Sequence, residues 1–198
     1  MQTTSLRNGL TRAARASFRN LPNWDNPDQL AVPMSRLSTR AQVTQARLLT
    51  SMASVMDGSP VRVDMASVTG DAIRDGDIEA AWRVPMYALW GNLSSGMDQA
   101  ELIRQGDNDV QTQAITDLSF SQRETMSRIT GDQSNGIIGY WRVPAEGSAC
   151  DFCVTIADRL YFIEDLMPVH PGCTCSVEPA FRSDLGGESV AAAAEAGE

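Results

Sequence analysis

All four cysteines and the only histidine of this chain lie between residues 150 and 175. The segment reads Cys-x-x-Cys, then sixteen residues, then His-x-x-Cys-x-Cys. Cysteine and histidine are the side chains that bind zinc in structural sites, and the Cys-x-x-Cys spacing lets two thiolates reach one ion. A fold built on this segment must therefore bring its two ends together. The pattern predicts a structural zinc site.

Five side chains compete for the four positions of a tetrahedral zinc ion. Residues 170–173 read His-Pro-Gly-Cys, and proline followed by glycine predicts a type II β-turn that brings the end residues of the turn within about 7 Å. If residues 173–175 are extended, the last cysteine points to the same side as Cys173, because alternate side chains of a strand share a face. The favoured ligands are Cys150, Cys153, His170 and Cys173, and Cys175 is the substitute.

Other interpretations of the cysteines fit less well. Two disulfides or a set of buried thiols would not account for a histidine at ligand spacing. A thioredoxin-like redox centre needs its Cys-x-x-Cys at the start of a helix within βαβ units, and few strands are expected after residue 153. A catalytic zinc would need an open coordination position and a nearby acid or base. A hydrolytic triad would need the histidine as its general base.

Charge is distributed unevenly along the 198 residues, whose net charge is −9. Residues 1–50 carry seven arginines against two aspartates, a net charge of +5, whereas the rest is acidic. An acidic chain is a poor general nucleic-acid binder, because affinity for phosphate depends on positive charge. Contact with DNA or with an acidic protein surface is therefore expected only at the amino-terminal arginines, Arg7, Arg12, Arg15 and Arg19.

The sequence predicts an α+β fold with three parts. Residues 1–132 are expected to be mostly helical, including a long helix from Ser35 to Met56 after a break at Pro33. Shorter helices are expected at 97–104 and 110–118, and a capping box at Ser121 predicts a further helix start. Residues 133–182 predict a small β-rich zinc module with a strand at 137–143. Residues 183–198 predict a disordered tail. No apolar run is long enough for a transmembrane helix, and arginines interrupt any secretory signal.

The carboxyl-terminal third also carries a family-like order of motifs. A strand containing Trp141 is followed by Cys-x-x-Cys, an aromatic pair at 161–162 and MPVHPGCTC at 167–175. Residues 137–179 thereby resemble the carboxyl-terminal module of the phage Mu F-like minor head proteins, in which the corresponding motifs are CPxC and PPxHPNCRC. The resemblance covers less than a quarter of the chain.

Three positions depart from the family motif. Gly172 stands where the family has asparagine, which keeps the turn, and Pro168 stands alone where the family has two prolines. Thr174 replaces an arginine and so removes a positive charge that could contact an anion.

The resemblance implies a minor capsid protein of a tailed bacteriophage. Such a protein would lie inside the virion head near the portal vertex, after assembly in the host cytoplasm, and would act in head morphogenesis or genome delivery. Its expected partners are the portal protein, the major capsid protein or both, with no membrane contact. It is expected not to be an enzyme, with a head maturation protease or a Cys-x-x-Cys redox enzyme as the alternative.

Overall fold

The computed structural model describes residues 2–74, 76–131, 136–145, 147, 149–157, 159–162 and 169–182. Within these residues, the α-helices are α1 (Gln2–Arg19), α2 (Asp28–Asp57), α3 (Ile78–Ser94), α4 (Gln99–Gly131) and α5 (Asp151–Thr155). The strands in the same described ranges are β1 (Ile137–Val143), β2 (Leu160–Tyr161) and β3 (Ser176–Phe181). Two short 3₁₀ helices, Met65–Val68 and Gly70–Ile73, connect α2 to α3. The predicted α+β class, mostly helical with a small sheet near the carboxyl end, is confirmed.

The chain forms two compact units, each drawn from several segments. The first contains residues 1–47, 64–122 and 169–173, and the second contains 48–63, 123–168 and 174–198. The predicted boundaries at 132/133 and 182/183 stay a prediction, and the predicted tail, 183–198, lies outside the described residues.

The core of the first unit is a single apolar cluster. Helix α1 contributes Leu10, Ala14 and Phe18, which lie on one face because they are four residues apart. The buried members from the other helices of the cluster are Leu30, Ala31, Met34, Ala41, Ile78, Trp82, Met86, Leu89, Leu102, Val110, Ala114 and Leu118.

A buried carboxylate organises the polar interior of the first unit. Asp117 of α4 is fully buried and accepts hydrogen bonds from Ser38 Oγ at 2.7 Å and Trp82 Nε1 at 2.8 Å. Arg74 Nε and Gln113 Nε2 each donate to its other oxygen at 2.9 Å. Three side chains from distant parts of the sequence and one from the preceding turn of α4 thus satisfy one charge, as the cost of burying an ion requires.

The expected break at Pro33 is wrong, because α2 runs through it from Asp28 to Asp57. Proline has a backbone φ compatible with a helix and loses only one hydrogen bond near a helix start. The buried side chains of Leu30 and Met34 on either side of it give this turn a packed face.

The predicted short helices at 97–104 and 110–118 are one continuous helix, α4. Gly106 lies in the interior of α4, and it has to be glycine because any Cβ there would overlap the Phe18 ring. The adjacent Asp107 accepts hydrogen bonds from Arg19 and Arg15 of α1. The apparent helix-breaking sequence is therefore the surface on which α1 packs.

The predicted helix start at Ser121 is also wrong, because this residue lies inside α4. Its hydroxyl donates to the Val68 carbonyl at 2.8 Å instead of capping a helix.

The second unit contains an antiparallel sheet in the order β2-β1-β3. The predicted strand at 137–143 is confirmed as the central strand, β1. Tyr140 pairs with Tyr161 of β2, and their buried rings stack with centroids 5.7 Å apart. Gly139 allows the close approach of β2, since a Cβ there would lie 2.6 Å from the Tyr161 carbonyl oxygen.

Among the helices that the structure describes, none combines the length and apolar character that crossing a membrane requires.

Candidate metal centre

The predicted turn at residues 170–173, the ligand turn, has the expected geometry. Cys173 N–H donates to the His170 carbonyl oxygen at 3.1 Å, which closes the turn. Gly172 has a φ of 74°, the left-handed conformation that a type II turn requires at this position. Cys173 is 1% exposed, whereas His170 is partly exposed. The His-Pro-Gly-Cys sequence thus fixes the backbone that carries two of the predicted ligands.

One nitrogen of the His170 ring contacts a backbone carbonyl oxygen. This nitrogen, Nδ1, lies 2.9 Å from the Pro171 carbonyl oxygen. In the tautomer with the proton on Nδ1, that nitrogen donates to the carbonyl, and Nε2 carries the lone pair that a metal ion would use. This is the usual arrangement of metal-binding histidines.

The Cys-x-x-Cys motif lies at the start of the short helix α5. Cys150 is the residue before the first helical position, and its backbone is extended with φ −80° and ψ 162°. The backbone N–H of Cys153, followed by lesser contributions from neighbouring groups, lowers the pKa of the Cys150 thiol below its ordinary value. Cys150 is exposed and Cys153 is buried. The local backbone thus favours the thiolate, the form that binds metal ions.

The predicted ligands fall into two groups that share Cys153. One group is Cys150, Cys153 and His170, and the other is Cys153, Cys173 and Cys175; within each group, the ligand atoms lie within 4.8 Å of one another. All four cysteines lie in the described part of the chain as thiols and not as disulfides. These Cys and His groups could hold a metal ion. The choice among the five predicted ligands stays a prediction.

Two hydroxyl groups of α4 contact the ligand turn. Ser119 Oγ donates to the Cys173 carbonyl oxygen at 2.7 Å, and this bond is buried. Gly172 N–H donates to Thr116 Oγ1 at 2.9 Å. The Thr116 hydroxyl itself donates to the Thr112 carbonyl oxygen at 2.7 Å, so its oxygen can accept at the same time. The turn is thereby held by side chains that come more than fifty residues earlier in the sequence.

A buried arginine lies against the ligand that the two groups share. Arg142 of β1 is 2% exposed, and its Nη1 donates to Cys153 Sγ at 3.0 Å. The sequence pattern predicts no role at this site for Arg142, Thr116 or Ser119. Alternation in β1 could have indicated Arg142, because it shares a face of the strand with buried Tyr140. The two α4 hydroxyls carry no signal in the sequence.

Two of the four amino-terminal arginines that were expected to contact a partner form ion pairs within the chain. Arg15 and Arg19 both form ion pairs with Asp107, which is buried. Arg7 is partly buried, and Arg12 is exposed. A basic contact surface on α1 therefore rests mainly on Arg12, with the exposed edges of Arg15 and Arg19 beside it.

No protein-family model matches the chain, and searches of curated proteins and of solved structures found no significant match.

Proposed function

We propose that this chain is a structural minor head protein of a tailed bacteriophage and that one zinc ion stabilises its carboxyl-terminal part. The observation that supports the metal is the convergence of the cysteine and histidine ligand atoms within 4.8 Å in each group. Thiolates with an imidazole suit zinc better than magnesium or calcium, which prefer oxygen ligands. Four protein ligands around zinc leave no open position, which is typical of a structural site.

The ligand set can be tested by metal analysis of the purified full-length chain. We expect one zinc ion per chain, and we expect Cys153→Ser to lose it because both groups contain Cys153. Cys175→Ser should retain zinc if the ligands are Cys150, Cys153, His170 and Cys173. Wild-type protein that binds no transition metal under reducing conditions would refute the metal centre.

The virion role is supported by the resemblance of residues 137–179 to the Mu F-like module. The Trp141 strand, the Cys-x-x-Cys and the His-Pro-x-Cys-x-Cys ending occur in the family order. In this proposal the zinc is structural and not catalytic, and the helices contact portal or major capsid subunits. The exposed Arg12 region would face packaged DNA or an acidic subunit surface.

The particle assay is independent of the metal assay. Antibodies against the chain should detect it in purified DNA-filled heads at low copy number relative to the major capsid protein. A phage lacking the gene should produce heads that fail in assembly, packaging or DNA delivery. Chain that stays in the soluble lysate, together with normal infectivity of the deletion phage, would refute the virion role even if zinc is bound.

A redox enzyme is the second candidate, because one observation favours it. The exposed Cys150 precedes a helix, has a lowered thiol pKa and lies next to the buried Cys153. The sheet that the structure describes is antiparallel, however, whereas a thioredoxin-like centre lies in βαβ units. An insulin-reduction assay of the zinc-free and zinc-loaded chain separates the two functions. Activity that depends on Cys150 would favour the redox enzyme.

A further inference from the structure

Arg142 occupies a position where an arginine is costly. It lies in the central strand β1, opposite Val177 of β3, and only 2% of its surface is exposed. A guanidinium keeps its proton in proteins, so the positive charge is buried with the side chain. Burying a charge is unfavourable unless a group of opposite charge or strong hydrogen bonds accompany it. The contacts of this guanidinium should therefore include a negatively charged group or a strong hydrogen-bond acceptor.

The sulfur of Cys153 is one such contact. Arg142 Nη1 lies 3.0 Å from Cys153 Sγ, and this bond is buried. A neutral thiol is a weak acceptor, whereas a thiolate accepts a charge-assisted hydrogen bond that is about twice as strong as a neutral one. The hydrogen bond from Arg142 is thus strongest when Cys153 is a thiolate, as it is when bound to a metal ion.

The net negative charge of the proposed centre also favours a cation beside Cys153. Three thiolates and one histidine around a divalent ion leave one net negative charge, and four thiolates leave two. Either set is only partly neutralised by its own ion. A guanidinium on the sulfur of Cys153, which belongs to both ligand groups, offsets this charge in any ligand set that contains Cys153.

We propose that Arg142 is a positioning residue of this metal centre. Its guanidinium holds Cys153 Sγ as a metal-bound thiolate and neutralises part of the negative charge of the centre. The inference rests on the zinc site proposed above and adds a residue beyond the ligands. Residues in this role orient metal ligands, and their loss weakens metal binding by about ten- to a hundredfold.

The test uses cobalt(II), whose sulfur-to-metal charge-transfer band reports the electronic state of each thiolate. The full-length wild type is compared with Arg142→Met, which keeps an unbranched side chain but removes the charge and the hydrogen-bond donors, and with Arg142→Lys, which keeps the charge. Arg123→Met is the matched control, because Arg123 is also an arginine with a side chain largely inside the protein but pairs with Glu124. Zinc affinity is measured by chelator competition, and circular dichroism checks the fold of each variant.

We expect Arg142→Met to shift the charge-transfer band to lower energy, because a sulfur without a hydrogen-bond donor holds its electrons less tightly. Zinc affinity should fall about ten- to a hundredfold. Arg142→Lys should recover part of both effects, and Arg123→Met should behave as wild type. A role limited to packing would lower stability without moving the band.

The outcomes separate this inference from the metal site itself. A wild type that binds neither cobalt nor zinc overturns both. A wild type that binds cobalt, with an Arg142→Met band and affinity equal to those of Arg123→Met, overturns the role of Arg142 alone. If Arg142→Met does not fold, Arg142→Lys decides, since a shorter side chain alters the bond to sulfur. A band unchanged in Arg142→Lys would then overturn the inference.

Discussion

Removing the two α4 hydroxyls should weaken metal binding although neither binds the metal. Ser119→Ala removes the buried donor to the Cys173 carbonyl oxygen, and Thr116→Val removes the acceptor of Gly172 N–H. Both substitutions keep the helix and nearly keep the side-chain volume. They therefore act on the ligand turn through its backbone.

The burial of each partner sets the expected magnitude. The Cys173 carbonyl belongs to a residue that is 1% exposed, so its loss of a donor costs about 1–3 kcal/mol. Gly172 is partly exposed, so water can replace the Thr116 hydroxyl and the cost should be about 0.5–1 kcal/mol. If the turn must re-form when the metal binds, Ser119→Ala lowers zinc affinity by roughly 5- to 150-fold. The effect of Thr116→Val should be smaller.

Chelator competition gives the zinc affinity, and urea unfolding of the zinc-free and zinc-loaded chain gives the free energies of unfolding. Thr130→Val is the matched control, because Thr130 is also buried in α4 and its hydroxyl donates to the Met126 carbonyl oxygen of its own helix, just as the Ser119 hydroxyl lies 3.0 Å from the Ile115 carbonyl oxygen. An affinity for Ser119→Ala no lower than that of Thr130→Val would refute the idea that α4 holds the turn in its binding conformation.

Three further predictions concern the first unit. Asp117→Asn should lower the free energy of unfolding by about 3 kcal/mol in urea titrations, because it leaves the Arg74 cation without its carboxylate; a loss below 1 kcal/mol would contradict this. Gly106→Ala should cost about 3 kcal/mol, because its Cβ would overlap the Phe18 ring, and a wild-type melting temperature would argue against that packing. Burial raises the pKa of Asp107, but hydrogen bonds from two arginines lower it more, so the net pKa is below the ordinary value. The stabilisation by Asp107 should therefore be complete above pH ~4 and be lost as the pH falls further. The stability difference between wild type and Asp107→Asn should shrink in that range, and a difference independent of pH would contradict the ion pairs.

Local sequence was sufficient to predict the structure where residue type itself restricts the backbone conformation. Proline and glycine in the ligand turn specify a type II turn, and the observed φ of Gly172 agrees with it. The β-branched and aromatic residues of 137–143 predicted β1 for the same reason, since they favour extended backbone.

Local sequence failed where a distant side chain determines the conformation. Gly106 and Asp107 look like a helix break, yet one makes room for Phe18 and the other pairs with Arg19. The hydroxyl of Ser121 resembles a helix cap but bonds a distant carbonyl. Such tertiary contacts leave no periodic or local signal, because any small or polar residue at these positions fits several structures.

The same limit applies to the candidate metal centre. Its five candidate ligands were identifiable from residue type and spacing, because metal coordination restricts both. The residues that contact the ligands could not be identified in this way. A serine in a helix or an arginine in a strand is common in proteins and does not by itself indicate a nearby metal site. Arg142 and Ser119 became visible only through their distances to Cys153 and Cys173.

The contacts of α4 with the ligand turn also determine whether this motif can be transferred to another protein. A peptide that starts at residue 133 would carry every cysteine and the histidine, but neither Thr116 nor Ser119. Transplanted to another scaffold, such a peptide would keep the metal-binding atoms but lose the two hydroxyl groups that hydrogen-bond to the turn carrying them. A graft intended to capture metal would need to bring a stretch of the long helix with it.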